Sequence, residues 1–280
     1  MDQTLKKDLK VFATKLRIGA VEAVYSASSG HPGGSISIAE LLSYLYNVEM
    51  RVDPKNPKDE NRDRFVLSKG HAAPGVYSAL ALKGFFPYDD LKTLRKSDSY
   101  LQGHPSMTYV PGIDMSTGSL GQGISAAVGM ALSAKYQKKD FRVYTILGDG
   151  EIEEGQVWEA AMFAGNKKLD NLVAIVDYNN LQIDGTLDDV NSPYPIKEKF
   201  EAFGWNAVEI DGHDFDQIEK AFNEAKACKG KPTCIVAKTV KGKGVSYMEN
   251  ECGWHGAAPN KEQFEIAMNE LNADLKELEA

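Results

Sequence analysis

Two short motifs contain residues that could bind a phosphorylated ligand through a metal. Gly148-Asp149-Gly150 is followed, after twenty-eight residues, by Asn179-Asn180. Glycines on both sides of Asp149 let the backbone approach an anionic group closely, and the carboxylate is a hard oxygen ligand of the kind that Mg²⁺ or Ca²⁺ prefers. The Asn179 side chain offers a second oxygen. Either motif alone would fit an ordinary turn, but their spacing and placement predict a divalent metal site at Asp149 and Asn179.

Both motifs directly follow predicted strands. Apolar runs rich in β-branched residues predict five strands, over residues 65–67, 143–147, 172–176, 207–210 and 234–240. Apolar residues repeat at intervals of three and four between them, which predicts helices over 36–46, 73–82, 123–136, 157–167 and 215–228. This alternation predicts a three-layer α/β/α fold with a mostly parallel sheet. Because ligands bind beyond the carboxyl ends of strands in such sheets, we expect the two motifs to meet at one edge.

The two ends of the chain have the pattern of amphipathic helices. Apolar residues from Leu5 to Val21 are spaced at helical intervals among charges, without the apolar run or cleavage site of a signal peptide. Asn260 and Gln263 have the spacing of a helix cap before a final amphipathic stretch. We expect a ligand-binding domain over residues 1–258, with a C-terminal helix over 259–280 appended to it. The polar, glycine-rich segment from Gly242 to Asn260 is expected to form a long functional loop.

Charge and composition exclude several classes of function. The 280 residues include 32 Lys and Arg against 40 Asp and Glu, and the net charge of −8 repels nucleic acids and anionic membranes. No window contains the roughly eighteen apolar residues that a membrane span requires. The three cysteines cannot all pair with one another, which indicates reduced thiols. We expect a soluble cytoplasmic protein with no nucleic-acid or membrane partner.

Three other kinds of site have weaker support. Residues 121–126 fit a dinucleotide-binding fingerprint, but Pro and Gly interrupt the preceding segment, where a strand is required. Residues 241–244 lack the glycine spacing and the hydroxyl residue of a P-loop. Cys252 and His255 have the spacing of zinc ligands, but no second close pair of ligands accompanies them. Ordinary cysteines and a site built on Asp149 are therefore favoured.

The pairing of the two metal-site motifs resembles the cofactor motif of thiamine diphosphate enzymes. Within that superfamily, the chain resembles the transketolases more closely, over nearly its whole length. The motifs that carry this resemblance stand in the family's order: Ser29-Gly30-His31-Pro32-Gly33, Asp63-Arg64-Phe65-Val66-Leu67-Ser68-Lys69-Gly70-His71, Gly103-His104-Pro105, Thr117-Gly118-Ser119-Leu120-Gly121-Gln122-Gly123, Gly148-Asp149-Gly150 with Glu154-Gly155, Ile210-Asp211-Gly212-His213-Asp214 and Trp254-His255-Gly256. Seven ordered motifs are far more specific than any one of them.

The resemblance implies thiamine diphosphate as the cofactor, bound together with Mg²⁺ or Ca²⁺. The metal ligands would be the side chains of Asp149 and Asn179 and the main-chain carbonyl of Leu181. The other implied cofactor contacts are His71 and Gly150 at the diphosphate, Gly118 and Leu120 at the aminopyrimidine, and His255 near the thiazolium ring.

Catalytic roles are implied for four of the five histidines, namely His31, His71, His104 and His255. By resemblance they line the channel around the thiazolium ring and the sugar hydroxyls. An imidazole donates or accepts a proton near neutral pH, which suits a carbonyl that becomes an alkoxide and back. Glu154 matches the family residue that reaches toward the second half of the enzyme. The fifth histidine, in the Asp211-Gly212-His213-Asp214 motif, either belongs to the site or simply precedes the next helix.

The chain also departs from the family pattern. Ser119 and Asn180 stand where family members commonly have Pro and Gly, so the aminopyrimidine loop and the turn after the metal ligand are expected to differ in detail. A larger departure is that the resemblance covers only the diphosphate-binding half of a transketolase. The half that holds the glutamate next to the aminopyrimidine has no counterpart in the motifs above.

The resemblance therefore implies the N-terminal subunit of a split transketolase. Its partner would be a C-terminal subunit with the pyrimidine-binding half, and two copies of each chain would assemble. Together they would transfer a two-carbon ketol unit from a ketose phosphate to an aldose phosphate. Two alternatives stay open: another split thiamine diphosphate enzyme, related to deoxyxylulose-phosphate synthase or acting on other sugar phosphates, and a catalytically silent cofactor-binding subunit.

Overall fold

The centre of the molecule is a parallel five-stranded sheet. The computed structural model describes residues 1–280, and its strands are β1 (Arg64–Leu67), β2 (Val143–Gly148), β3 (Leu172–Tyr178), β4 (Asn206–Asp211) and β5 (Thr233–Lys238). They lie in the order β1-β2-β3-β5-β4, and every neighbouring pair is parallel. All five predicted strands are present, and the predicted, mostly parallel sheet is parallel throughout.

Helices cover both faces of this sheet. They are α1 (Gln3–Ala27), α2 (Pro32–Ile36), α3 (Ala39–Tyr44), α4 (Ala73–Leu82), α5 (Gln122–Tyr136), α6 (Gly155–Asn166), α7 (Leu187–Val190), α8 (Ile196–Ala202), α9 (Phe215–Ala227) and α10 (Lys261–Glu279). One buried core joins the sheet to α1, α3, α4 and α9, and a second joins it to α5, α6 and α8. The predicted three-layer α/β/α fold is confirmed.

Side chains point to alternate faces of the sheet along each strand, so each strand contributes residues to both cores. In β1, Phe65 and Leu67 enter the core under α1, whereas Val66 enters the core under α5. In β2, Ile146 enters the core under α1, and Leu147 enters the core under α5. Strands buried on both faces need apolar residues at nearly every position, which is why the sequence shows them as continuous apolar runs.

The prediction of one continuous helix over residues 36–46 is wrong. Helix α2 ends at Ile36, and α3 begins at Ala39, because Ile38 leaves the helical conformation with φ −98° and ψ 16°. The Ser37 hydroxyl donates to the buried carboxylate of Asp177, 2.8 Å away on β3. This tertiary contact fixes the chain at the break. Similarly, β5 ends at Lys238 rather than at residue 240.

Helix α10 packs against α1. Tyr25 and Phe264 stack with ring centroids 3.9 Å apart, and Ala267 and Leu271 are buried in a third, smaller core. The predicted cap is present, since the Asn260 side chain accepts from the Gln263 amide at 2.9 Å and the Gln263 side chain accepts in return. A boundary between residues 258 and 259 stays a prediction. No helix combines the length and apolar character that a bilayer span requires.

Candidate active site

The carboxyl ends of β2 and β3 form one wall of a cavity of about 150 Å³. Gly148 pairs with Asp177 across these strands, so the two predicted motifs leave the sheet side by side. Seven residues that were predicted as site residues line the cavity: His71, Leu120, Asp149, Gly150, Asn179, Leu181 and His255. The structure therefore brings the predicted metal and diphosphate residues together.

Asp149 ties the two motif loops to each other. Its side chain is almost fully buried, and its Oδ2 accepts from the backbone amides of Asn179 at 2.8 Å and Asn180 at 2.6 Å, while Oδ1 accepts from Gly150 at 2.9 Å. Burial, together with repulsion from nearby Asp177, raises the pKa of Asp149. A bound divalent cation would stabilise this carboxylate in its charged form.

The side-chain amide of Asn179 is held in one orientation. Its Nδ2 donates to Asp177 Oδ2 at 3.0 Å, and its Oδ1 accepts from the Leu181 amide at 3.2 Å. With the Leu181 carbonyl and the Asp149 carboxylate, the cavity wall presents three kinds of oxygen donor, all of the hard type. This donor set fits Mg²⁺ or Ca²⁺.

Two buried lysines, which the sequence analysis missed, lie in the same wall. Lys69 and Lys241 are each 2% exposed. The Lys241 ammonium donates to the Leu181 carbonyl at 2.9 Å and lies 3.0 Å from His255 Nδ1. Burial lowers the pKa of Lys241. Two cations beside a narrow polar cavity fit an anionic ligand such as a diphosphate, so the residues present suit both parts of the implied cofactor.

Asp177 accepts hydrogen bonds from several residues of this cavity wall. It is completely buried and accepts from Lys69 Nζ at 2.6 Å as well as from the hydroxyls of Ser37 and Thr239. Burial would raise the pKa of Asp177, but the Lys69 ammonium and the hydroxyl donors outweigh it and hold that pKa below its usual value. The sequence alone did not identify Asp177 as a site residue.

Glu151 is a second buried carboxylate that the sequence analysis missed. It accepts from the Ser68 hydroxyl at 2.5 Å and from the backbone amides of Gly121 at 3.0 Å and Gly148 at 2.9 Å. These three partners belong to three different motif loops. Glu151 therefore fixes the position of the loops relative to one another. Its position directly after Gly148-Asp149-Gly150 was the only feature of the sequence that pointed to a role at the site.

The four predicted channel histidines lie together. The ring centroid of His31 is 5.2 Å from that of His71, 6.4 Å from that of His104 and 5.6 Å from that of His255. Burial is the main cause that lowers their pKa values, to about 4 for His31 and about 3 for His255. They are therefore neutral at pH 7, and a neutral imidazole can both donate and accept a hydrogen bond.

The loop that contains Gly118 passes very close to this histidine cluster. Gly118 has φ +148°, and a Cβ atom there would lie 3.0 Å from the His104 ring. The side-chain oxygen of Thr117 and Nδ1 of His31 are buried without a partner in the chain. Such groups fit a ligand that supplies the missing hydrogen bonds.

Glu154 lies outside the cavity, exposed at the start of α6 and next to Gly121.

His213 lies outside the histidine cluster. Its Nδ1 is 2.9 Å from Glu40 Oε2, and its Nε2 accepts from the Val240 amide at 2.9 Å. Glu40 also binds Arg17 at 2.7 Å, and this buried ion pair lowers the pKa of Glu40 to about 2 despite burial. Asp214 caps α9 through the Asp216 amide. The motif therefore fixes α1, α3 and the segment after β5.

Comparisons with known proteins assign the chain to one family. Residues 9–277 match the family model described as the thiamine diphosphate binding domain of transketolase. The chain is 47% identical to the 6-deoxy-6-sulfo-D-fructose transketolase subunit SqwG of Clostridium sp. (strain MSTE9), and the match covers 95% of this chain and 97% of that relative. It is 44% identical to one of the subunits of the apulose-4-phosphate transketolase of Phocaeicola vulgatus, over 97% of this chain and 96% of that relative.

Among solved structures, the transketolase of Campylobacter jejuni has a TM-score of 0.90 and 35% identity. The match covers 99% of this chain and 46% of the Campylobacter chain. The similarity thus extends over the whole fold described here and over a little under half of the larger enzyme. This chain belongs to the transketolase family of transferases and corresponds to its thiamine diphosphate binding domain.

Proposed function

We propose that this chain is the cofactor-binding subunit of a two-chain transketolase, which transfers a two-carbon ketol unit from a ketose phosphate to an aldose phosphate. The observation that carries this proposal is one cavity in which Asp149, Asn179 and Leu181 present oxygens beside two buried lysines, next to four neutral histidines. The two similar subunits match this chain over nearly their whole length, which supports the two-chain form.

In this proposal, Asp149, Asn179 and the Leu181 carbonyl hold Mg²⁺ or Ca²⁺. Lys241 and His71 face the same cavity and would contact the diphosphate, and Gly150 leaves room for it because no side chain projects there. Two negative phosphate groups would balance the buried cations. Gly118 and Leu120 would support the aminopyrimidine, and His255 would lie near the thiazolium ring.

Thiamine diphosphate supplies the carbanion chemistry that breaks and forms a carbon–carbon bond next to a carbonyl. The histidines of this chain would manage the protons of the sugar. His31 and His104 are neutral at pH 7, so each can donate to an oxygen that gains charge and accept from a hydroxyl that loses a proton. His31 is half-buried, whereas His104 is exposed to solvent.

The substrates we propose are sugars with an anionic group. The names of the two similar subunits specify a sulfonated sugar and a sugar phosphate. A sugar phosphate is therefore the first substrate class to test for this chain.

The three free cysteines fit the reducing compartment of a cytoplasmic enzyme.

The partner surface we propose is the outer face of α5 and α6. Helix α5 has apolar or small residues on all sides, although only one side is covered by the fold. On α6, Met162 is 54% exposed and Phe163 is 41% exposed, and Tyr136 at the end of α5 is 89% exposed. Apolar helix faces of this kind are normally buried. A partner with the pyrimidine-binding half would cover this face and meet Glu154 there, in an assembly with two copies of each chain.

Mixing experiments test the proposal. The isolated chain should not turn over xylulose 5-phosphate with ribose 5-phosphate, and activity should appear when a chain with the pyrimidine-binding half is added. Robust turnover by the isolated chain would show that the two-chain proposal is wrong. A mixture that binds thiamine diphosphate but transfers no ketol unit would favour a silent cofactor-binding subunit.

A further inference from the structure

Asn180 lies between two of the residues that we propose as metal ligands, Asn179 and Leu181. Its φ of 64° is in the left-handed region, which residues other than glycine rarely adopt. Family members commonly have glycine at this position, and glycine adopts such a backbone without steric cost. This chain makes the turn with a residue that has a side chain, so the contacts of that side chain bear on the geometry of the metal site.

The backbone of Asn180 is bonded at both of its polar groups. Its amide donates to Asp149 Oδ2 at 2.6 Å, and its carbonyl accepts from the Leu187 amide at 3.2 Å. The first contact joins the turn to the third proposed ligand, Asp149. A change in the conformation of Asn180 would therefore displace the oxygens of the proposed ligands relative to one another.

The side chain of Asn180 is held by the phenol of Tyr194. The Tyr194 hydroxyl donates to Asn180 Oδ1 at 3.0 Å, and it also bonds to the hydroxyl of Tyr178. A phenol has a single proton to donate. Because Tyr194 uses its proton toward Asn180, Tyr178 must be the donor in the second bond. The chain of donors thus runs from Tyr178 to Tyr194 to Asn180.

Both tyrosines are anchored in the fold. Tyr178 is the last residue of β3, and both rings pack against the second core, with their centroids 5.5 Å apart. The Lys199 ammonium donates to the Pro193 carbonyl at 2.6 Å, which holds the segment that leads into Tyr194. The Tyr194 hydroxyl therefore connects a turn of unusual backbone to the central sheet.

We propose that Tyr194 is a positioning residue of the metal site, whose hydroxyl holds the left-handed turn at Asn180. Asn179 and Leu181, on either side of that turn, are thereby kept in the geometry that binds a divalent cation. This inference rests on the proposed function, since it concerns the metal that would hold the cofactor. Tyr194 would touch neither the metal nor the substrate. It would offset the strain that a side chain brings to a turn which suits glycine.

The test measures the affinity of the full chain for Mn²⁺ in the presence of thiamine diphosphate, by electron paramagnetic resonance of the free ion. Mn²⁺ takes octahedral oxygen coordination, as Mg²⁺ does. In Tyr194→Phe, we expect the dissociation constant of Mn²⁺ to rise about 10-fold, the lower end of the effect of removing the support of a metal ligand. The spectrum of the bound ion should broaden as well, because its oxygen ligands lose their fixed arrangement.

A second substitution tests whether the effect passes through Asn180. Glycine adopts a positive φ freely, so in Asn180→Gly the turn no longer needs the tyrosine hydroxyl. In this background, Tyr194→Phe should change the dissociation constant of Mn²⁺ less than about 2-fold. Such a departure from additivity shows that two residues act through one contact.

Two tyrosine variants separate the Tyr194 hydroxyl from a general effect of the substitution. Tyr109 is exposed and does not line the cavity, so Tyr109→Phe should leave the Mn²⁺ affinity unchanged. Tyr178→Phe removes the donor to Tyr194 but leaves the bond to Asn180, so the dissociation constant should rise less than in Tyr194→Phe. Urea unfolding of the metal-free variants measures any effect on the fold itself.

Three results would overturn the inference. One is an unchanged Mn²⁺ affinity in Tyr194→Phe, even with a lower free energy of unfolding, which would assign Tyr194 to the fold alone. Another is an equal effect of Tyr194→Phe with and without Asn180→Gly. The third is a larger loss of Mn²⁺ affinity in Asn180→Gly than in Tyr194→Phe, since the turn would then need the asparagine itself. An unaltered chain that binds no Mn²⁺ alongside thiamine diphosphate would refute the metal site of the proposed function, and this inference with it.

Discussion

The two ends of the cavity are built in opposite ways. At the ends of β2 and β3, Asp149, Asp177 and Lys69 already have close hydrogen-bond partners within the chain. At the histidine end, the rings of His31 and His71 face each other without a hydrogen bond, and Nδ1 of His31 is buried without a partner. The first end is rigid before any ligand arrives, whereas the second keeps donors and acceptors available.

This difference matches the two tasks of a cofactor enzyme. A cofactor that stays bound needs fixed charges and fixed oxygens, because any rearrangement on binding would lower its affinity. Groups that exchange protons with a substrate must remain unpaired until the substrate enters. The structure therefore predicts that substitutions at the first end lower cofactor affinity, while substitutions at the second end lower turnover.

The largest effect on cofactor binding is expected at Asp149. Asp149→Ala removes a predicted metal ligand and the acceptor that joins the two motif loops, so binding of thiamine diphosphate should fall at least about 100-fold, in line with breaking a buried charged contact. Calorimetric titration in the presence of Mg²⁺ measures this change. Asp184→Ala removes an exposed carboxylate at the cavity rim and serves as the control, with affinity close to that of the unaltered chain. Equal loss in both variants would argue against a specific role of Asp149.

The histidine end should show the reverse behaviour. We expect His31→Ala and His104→Ala to fold normally and to bind thiamine diphosphate, but to lose about 10²- to 10⁴-fold in turnover within the assembled enzyme. Steady-state rates and circular dichroism measure the two parts of this prediction. His213→Asn is the matched control, because His213 lies outside the cluster and asparagine can still donate to Glu40. Unchanged rates in the two alanine variants would refute a proton-transfer role.

Glu40, Arg17 and His213 form a buried charge cluster away from the cavity. A change in this cluster should affect the stability of the fold alone. The pKa of Glu40 falls from 4.5 to about 2 on folding, which corresponds to about 3 kcal/mol of stabilisation. Because the folded pKa is the lower one, this contribution is complete above pH 4.5 and is lost as the pH falls toward 2.

Glu40→Gln should therefore lower the free energy of unfolding at pH 7 by about that amount. It should also flatten the dependence of stability on pH in the acidic range. Urea unfolding at pH 7 and at pH 3 provides the measurement. A variant with the same acid sensitivity as the unaltered chain would show that the Arg17 contact does not stabilise the fold.

The smallest effect is expected at Asp177, which acts through Asn179 rather than on the ligand. Asp177→Asn keeps the shape of the side chain but loses the charge that pairs with Lys69. Cofactor affinity in the presence of Mg²⁺ should fall about 10- to 100-fold, as is typical when the support of a metal ligand is removed. The Mg²⁺ concentration needed for half-maximal binding should rise as well. A lower affinity with an unchanged Mg²⁺ requirement would place the effect on Lys69 instead.

The sequence was informative where a residue type and its strand position determine its role. Asp149 and Asn179 follow strands whose apolar runs are easily recognised, and parallel strands bring their ends together. Lys69 and Lys241 could not be assigned in this way, because their roles depend on burial against Asp177 and Leu181, which only the folded chain produces.

The same limit explains the error in the fold. The segment from Ile36 to Tyr46 has continuous helical spacing, yet the buried contact of Ser37 with Asp177 interrupts the helix. A local pattern contains no information on a partner that is distant in sequence. His213 is a second example, since its contact with Glu40 shows a structural role that the local motif left open.

The central claim is that the rigid end of the cavity binds the cofactor through a divalent metal held by Asp149 and Asn179. Calorimetric titration of the purified chain with thiamine diphosphate, in Mg²⁺ and in excess chelator, tests it most directly, with thiamine lacking the diphosphate as the control ligand. The structure predicts measurable binding of thiamine diphosphate in Mg²⁺, little or none in chelator, and none for thiamine in either condition. Equal affinity for thiamine diphosphate with and without the chelator would contradict the claim.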